Sequence, residues 1–323
     1  MISVNDALGI VEREIRSIRY PENPAGLYAP VAYLLSMNGK KIRPALTLLA
    51  CNLWSDDLSG AIYPALAWET FHNFTLMHDD LMDRADIRRG QPAVHRRWND
   101  NTAILSGDAM LILAYRLIAK SSATLMPALL DLFSKTAAEI CEGQQYDMEF
   151  ESRTDISERE YIDMICLKTA VLLGACLGSG AIVGGGSEDD CKKLYQFGIN
   201  LGIAFQIRDD LLDVYGNPDK FGKRIGGDIL CDKKTFMLVN ALNRAEAGDR
   251  EILLSWLGKT NDAENKIACF RQAYDRLNIK EIAERTISEY YGAALGYFHQ
   301  VSVSDGKKKI LLEFASEMMK RES

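Results

Sequence analysis

Two carboxylate clusters in this 323-residue chain share one spacing. Asp79, Asp80 and Asp83 fall within five residues, and Asp209, Asp210 and Asp213 repeat the same DDxxD pattern. On a helix, residues four apart share a face, so Asp79 sides with Asp83 and Asp209 with Asp213. Like charges at that spacing repel, and acids at a helix C-terminus oppose the macrodipole. Both clusters are therefore unfavourable without a cation. Hard oxygen ligands of this kind suit Mg²⁺, which takes one or two carboxylates and completes its shell with water and substrate phosphates. Solvated acidic helix ends are the blander reading. They account for one cluster better than for two, because both are flanked by apolar residues: Leu76, Met77, Leu81 and Met82, then Ile207, Leu211 and Leu212. A di-iron carboxylate bundle would need Glu-x-x-His pairs from its helices. Glu69-Thr70-Phe71-His72 has that spacing, and the sequence holds no second copy.

Four groups of cations complement these acids. Gly39-Lys40-Lys41-Ile42-Arg43-Pro44 sets three of them at a loop-to-helix junction, where free backbone N–H groups also favour anions. Arg88-Arg89-Gly90 follows the first acidic cluster. Lys168-Thr169 interrupts the apolar run Ile165 to Leu173, and a buried Lys is costly unless paired. Lys223 and Lys233 follow the second cluster, in FGKRIGGDILCDKKT. Taken singly, each group can be read as solvated surface charge, the better reading for Lys40, Lys41 and Arg88–Arg89; Lys168 is the most informative, because its neighbours suggest burial. Together they fit a diphosphate held by Mg²⁺ on one side and by cations on the other, Arg through bidentate contacts and Lys as a point charge.

Helical periodicity must position these groups. The run from Ala61 to Asp83 carries no strong breaker after Pro64, Leu125 to Phe150 and Asp189 to Tyr215 also read as long helices, and Ser157-Glu158-Arg159-Glu160 fits a capping box ahead of Tyr161. Pro21 to Pro24, Arg89-Gly90-Gln91-Pro92, Gly184 to Gly186 and Gly216-Asn217-Pro218 break the pattern. Alternating strand-like segments are lacking, so the expectation is an all-α fold of ten or more helices with no sheet. At 47% hydrophobic residues the chain can bury a large core, and without a linker residues 1–323 read as one domain. A net charge of −7 argues against nucleic-acid or anionic-membrane binding. Seven scattered cysteines without a CxxC pair suggest reduced, buried thiols in a cytoplasmic protein. The N-terminus does not read as a signal peptide, and the apolar stretch Ala170 to Val183 is too short and glycine-broken to span a bilayer.

These residues, in this order, resemble the trans-type polyprenyl diphosphate synthases, which include the farnesyl and geranylgeranyl enzymes. The matching segments are GKKIRP at 39–44, ETFHNFTLMHDDLMDRADIRRG at 69–90, SGDAML at 106–111, GQQYD at 143–147, KTA at 168–170, FQIRDDLLD at 205–213 and GKRIGGD...KKT at 222–235. The resemblance implies helices around a deep central cavity, a homodimer, no membrane insertion, and condensation of isopentenyl diphosphate with an allylic diphosphate. It implies about three Mg²⁺ ions, with Mn²⁺ able to substitute. Asp79, Asp83 and Asp209 would be the main metal ligands, supported by Asp80, Asp210 and Asp213. Lys40, Arg43, His72 and Arg89 would hold isopentenyl diphosphate. Arg88, Lys168, Lys223 and Lys233 would hold the allylic diphosphate, with Thr169 and Gln206 lining the reaction centre. Lys41 stands where the family often has Arg.

Bulk just before the first Asp cluster limits product length in this family. Phe74, with Thr75 beside it and no insertion in DDLMD, resembles the geranylgeranyl type ahead of the farnesyl type. The bland reading of Phe74 is ordinary core. A non-catalytic subunit of a heteromeric synthase would have lost one or both DDxxD motifs. A terpene cyclase or head-to-head synthase would not require Lys40, Arg43, His72 and Arg89 together.

Overall fold

Apolar residues at helical spacing, with caps at the ends of the runs, turn most of the chain into α-helix. The structure is a computed structural model and describes residues 1–216, 225–259 and 261–320. In α1 (Val4–Ser17) the Ser3 side chain accepts from the Asp6 amide and Asp6 accepts from the Ser3 amide, a complete capping box. There follow α2 (Ala25–Ser36), α3 (Ile42–Cys51), α4 (Ser59–Met82), a short α5 (Val94–Arg97), α6 (Asp100–Ile118), α7 (Met126–Glu151) and α8 (Glu158–Ile165). The expected capping box at Ser157 and Glu160 is present at the head of α8. A five-residue π-helical segment, Cys166–Ala170, links α8 to α9 (Val171–Gly184), and α10 (Glu188–Tyr215) follows. The remaining helices are α11 (Gly227–Leu230), α12 (Phe236–Arg244), α13 (Ala247–Trp256), α14 (Ala263–Arg276), α15 (Ile279–His299) and α16 (Asp305–Lys320).

One feature departs from the helix-only expectation. Ile87–Arg88 pairs antiparallel with Gln91–Pro92 in a two-residue ribbon. Arg89 (φ 52°) and Gly90 (φ 76°) supply the two left-handed positions that a tight hairpin turn of this type needs. The cysteines also depart in part. All seven are free, but Cys141 and Cys231 are exposed, because each falls on an outward position beside charged neighbours. Burial lifts the Cys51 thiol to about 11 and Cys176 to about 12. Glu158–Gly184, which includes Ala170 to Val183, is a run long and apolar enough to cross a bilayer, and 72% of its apolar window is buried.

The chain clusters into two compact units. The first comprises Met1–Lys135, Ala175–Tyr195 and Ser302–Leu311; the second comprises Thr136–Gly174, Gln196–Val301 and Leu312–Ser323. In the first, α4 is the central helix. His78 contacts the Ile104 carbonyl at 3.1 Å, and Lys120 sits over the Tyr63 ring at 4.9 Å, so α4 and α6 run antiparallel. Trp68, Phe71 and Phe133 are almost fully buried, with ring centroids 4.8 and 5.4 Å from Phe133, and the Trp68 indole donates to Ser179 at 2.9 Å. Burial of each ring contributes about 3 kcal/mol. In the second unit, Ile203, Ile207, Leu211 and Val214 line one face of α10 and pack into a core with Phe236, Phe270 and Tyr274.

Candidate active site

The helical wheel decides what each aspartate can do. On α4 the second aspartate of the motif turns toward the buried face that carries Asn73 and Met77, and Asp80 is 1% exposed. On α10 the second aspartate lies next to the Ile207 and Leu211 face, and Asp210 is 2% exposed. Asp79 and Asp209 remain partly exposed, and Asp83 is fully so. Asp83 is the C-cap of α4; beyond it Arg84 takes a left-handed φ of 53° and the Ala85 amide returns to the Asp80 carbonyl at 2.9 Å.

In the first unit, Asp80 meets a guanidinium. Arg88 Nε donates to its two oxygens at 2.9 and 3.1 Å, and Nη2 makes a third bond. The hairpin turn carries Arg88 back onto α4, so a residue expected on the allylic diphosphate also supplies Asp80's countercharge. Next to it lies a cationic cluster. Arg43, in the first turn of α3, bonds His72 Nε2 through Nη1 at 3.2 Å. A guanidinium only donates, so Nε2 accepts and the ring proton sits on Nδ1. Burial first, and then the charges of Arg43, Arg89, Arg88 and Lys41, hold His72 well below its usual range, and the imidazole is neutral.

Lys41 behaves differently from its neighbours. The sequence placed it among three cations facing an anion, but it adopts a left-handed φ of 45° and turns inward. Its ammonium bonds Glu69 at 3.0 Å, with both side chains buried. Glu69 also accepts from Asn73 at 2.9 Å, and Asn73 in turn accepts from Arg89 at 3.3 Å. One buried carboxylate thus braces the helix N-terminus and the hairpin arginine together. A Cβ on Gly39 would lie 2.7 Å from Arg89 Cζ, so only glycine lets that guanidinium lie on the GKKIRP backbone. Lys40 stays exposed. Arg43, His72 and Arg89 are therefore brought together as expected, Arg88 joins them on Asp80, and the bracing roles of Glu69, Asn73 and Lys41 were not foreseen. ETFHN contains both bracing α4 residues, and a fully buried Glu is a signal only when its partner is known.

Phe74 is half-buried and packs against Phe71 at 5.6 Å and His78 at 4.8 Å. Beneath it along α4 come Phe71 and Trp68, against Phe133, which also meets Tyr115 at 4.8 Å. Thr75 bonds back to the His72 carbonyl at 2.9 Å.

The second unit gathers Lys168, Thr169, Gln206, Asp210 and Lys233 around one small pocket of about 50 Å³, together with Asp147 and Tyr161. Lys168 lies in the π-helical segment, a local widening of the helix common at functional sites. A Cβ on Gly143 would lie 2.3 Å from the Lys168 amide, so the π segment rests directly on α7, and the Lys168 ammonium pairs with Asp147 one turn further along. Thr169 donates to Gln206 at 3.4 Å, and Gln206 donates to Asp210 at 3.2 Å. Asp210 also accepts from the Tyr161 hydroxyl and, at 2.8 Å, from the Phe236 amide at the start of α12.

All of those donors are neutral; Asp228 opposes the ionisation of Asp210 and Lys233 favours it less strongly. Burial and then Asp228 push Asp210 up to about 7; the same two causes push Asp213 to about 6. Asp213 accepts from the Asp228 amide at 3.1 Å, and Lys233 lies 3.8 Å from Asp228. Asp147, Tyr161 and Asp228 escaped the sequence reading as site residues. Asp147 and Asp228 lie inside quoted motifs, GQQYD and IGGD; Tyr161 carried no signal. Lys223 lies outside the described residues.

Does this donor set suit a divalent cation? Carboxylates raised by burial and mutual repulsion are groups that a cation would return to their ionised form. Among the described residues no three acidic, His or Cys side chains converge into a complete cage. Magnesium, which leaves most of its shell to water and phosphate, fits; an all-protein metal centre does not.

Residues 24–276 match the family model for polyprenyl synthetase. The chain belongs to that family. It is a prenyltransferase, of a family that generally uses divalent metal. Among its relatives, a short chain isoprenyl diphosphate synthase of Methanothermobacter thermautotrophicus is 36% identical, covering 97% of this chain and 96% of the relative. A geranylgeranyl diphosphate synthase of Methanosarcina mazei is also 36% identical, over 93% and 91% of the two chains. A solved geranylgeranyl pyrophosphate synthase superposes with a TM-score of 0.94 at 39% identity, over the full length of both. All-α architecture and family are as the motifs implied.

Proposed function

We propose that this prenyltransferase condenses isopentenyl diphosphate with allylic diphosphates, releasing diphosphate, and that its main product is geranylgeranyl diphosphate. The observation that carries the reading is the division of labour between two clusters: cations and a neutral histidine in the first unit, buried carboxylates with raised pKa values beside lysines in the second. Arg43, His72 and Arg89, with Lys40, hold isopentenyl diphosphate; neutral His72 donates through Nδ1 without adding charge. Lys168, Lys233 and Arg88, with Lys223, hold the allylic diphosphate, while Thr169 and Gln206 orient its ester end. Asp79, Asp83 and Asp209 would hold Mg²⁺, about three ions in all, and when bound the metal would stabilise negative charge on the departing diphosphate. The allylic C–O bond breaks with the electron pair leaving on oxygen. The double bond of isopentenyl diphosphate then attacks the allylic cation, and a proton leaves to the released diphosphate. Apolar walls keep water from the cation.

Phe74 sits five residues, about 7.5 Å of helix, before Asp79 and would close the cavity to longer chains. The aromatic stack Phe74–Phe71–Phe133 supports that role, as do relatives named for the same product. Exposed Ile104 and Leu105 on α6 offer an apolar strip for a second copy, consistent with a homodimer. The reading implies a cytoplasmic enzyme, because its substrates are water-soluble diphosphates.

Incubating the protein with Mg²⁺, isopentenyl diphosphate and each allylic primer tests this, with products resolved by length. A dominant C20 product is expected, and none should form in EDTA. A dominant C15 product would keep the reaction and overturn the Phe74 assignment; no condensation in folded, metal-loaded protein would overturn the reaction itself.

A further inference from the structure

A second cavity lies wholly within the first unit, away from the residues assigned above. It measures about 880 Å³ and is walled by the end of α1 and the segment after it, by α2, and by the first half of α4 against the second half of α6. That volume falls within the range of small-molecule sites. Leu66 and Ile62 of α4 and Leu113 and Leu117 of α6 give the wall an apolar component. Interleaved with them at that end, Tyr63 stands beneath Lys120, and Arg116 precedes Lys120 by one turn on the same face.

The charges at that end are not spent within the chain. Arg19, Arg116 and Lys120 line the cavity, and among the described residues none of them is paired with a carboxylate. The one acid in the wall, Glu14, is engaged by Arg13 at 3.7 Å. Burial pushes the Tyr20 phenol, also in the wall, up to about 12, so it remains a neutral donor. In a chain of net charge −7, three unpaired cations at the mouth of an apolar cavity select for a specific ligand chemistry. It needs an anionic head for the guanidinium and ammonium groups and a long apolar tail for the interior.

We infer that this cavity is a second, non-catalytic site for a prenyl diphosphate, its head on Arg116 and Lys120 and its tail between α4 and α6. The ligand class rests on the proposed reaction, which makes such molecules.

The full-length protein is titrated calorimetrically with geranylgeranyl diphosphate, with Mg²⁺ and then in EDTA. Binding at the carboxylate site needs metal; binding in the cavity does not. A component surviving EDTA is expected, present in Asp79→Ala and weakened about tenfold or more in Arg116→Glu/Lys120→Glu. Turnover of that double variant without added product should match wild type. Leu113→Trp, which fills the cavity without altering charge, should remove the same component. Geranylgeraniol and inorganic diphosphate, each lacking one half of the ligand, should both bind at least tenfold more weakly. Loss of all binding in EDTA would overturn the site, as would unchanged binding in both variants, or a change of oligomeric state caused by the double variant. Absence of condensation in the product assay, with EDTA-resistant binding retained, would overturn the reaction and leave the site standing.

Discussion

The two DDxxD motifs are identical in spacing and unlike in electrostatics. In both, the second aspartate is turned into the protein and all but sealed from water. Asp80 finds the bidentate guanidinium of Arg88 waiting. Asp210 accepts only from neutral donors, and burial and Asp228 outweigh Lys233 to raise it to about 7. Asp80 has its counterion within the chain; the ionisation of Asp210 is opposed by the fold. Spacing alone predicts that two carboxylates share a face. What the third neighbour is depends on the next turn of chain, and here the hairpin after α4 returns an arginine while the segment after α10 returns Asp228 and Lys233.

The largest effect separates function from fold. Asp79→Ala should lower turnover by about 10²–10³-fold, since it removes a ligand to the charge-stabilising metal, with the circular dichroism spectrum unchanged. Wild-type-like turnover would remove the first cluster from the metal site.

The next effects have opposite signs. Asp80→Asn leaves Arg88 without its countercharge and should destabilise the metal-free protein by about 1–3 kcal/mol, measured by denaturant unfolding. Asp210→Asn keeps the acceptor for the Phe236 amide and removes a carboxylate whose ionisation the fold opposes. At pH 8 it should stabilise the metal-free protein by about 2–4 kcal/mol, with little effect at pH 4. Equal signs for the two variants would erase the contrast.

The pH dependence follows the same division. His72 has a folded-state pKa below its unfolded value, so the unfolded chain takes up the proton first. Its contribution is intact above about pH 6.5 and is lost as pH falls below that, at up to about 1.4 kcal/mol per unit. Asp210 has a folded-state value above its unfolded one, and its contribution is present below about pH 4 and lost as pH rises toward 7. His72→Gln should flatten the acid side of the stability profile and Asp210→Asn the neutral side, read from thermal midpoints between pH 4 and 8.

The smallest energetic change is the most visible in product. Phe74→Ala should lengthen the main product by one or more C5 units at similar total turnover. Phe71, Trp68 and Phe133 remain below, so unlimited elongation is not expected. An unchanged product distribution would reduce Phe74 to core packing.

Much of this was legible in the sequence, and for physical reasons. Long runs of apolar periodicity gave α4, α7 and α10 to within two residues, and the Ser157 box capped α8 as read. The acidic and basic motifs are local and so carry their own chemistry. The unforeseen parts are long-range or depend on burial: Lys41 turning onto Glu69, Asp147 receiving Lys168, and Tyr161 reaching Asp210 across 49 residues. None of those partners shares a helix face or a motif with the residue it meets. The Arg89-Gly90 hairpin was visible as a break but not as a ribbon, because two residues per strand leave no alternation to read.

The central claim, that Asp210 needs an external cation to ionise while Asp80 is already served by Arg88, is tested most directly by counting protons. Binding of Mg²⁺ and inorganic diphosphate is followed calorimetrically at pH 6.5 in buffers of different ionisation enthalpy. Wild type should release protons as Asp210 and Asp213 ionise, Asp80→Asn should release as many, and Asp210→Asn measurably fewer. Equal release from wild type and Asp210→Asn, with the loss appearing in Asp80→Asn, would contradict it.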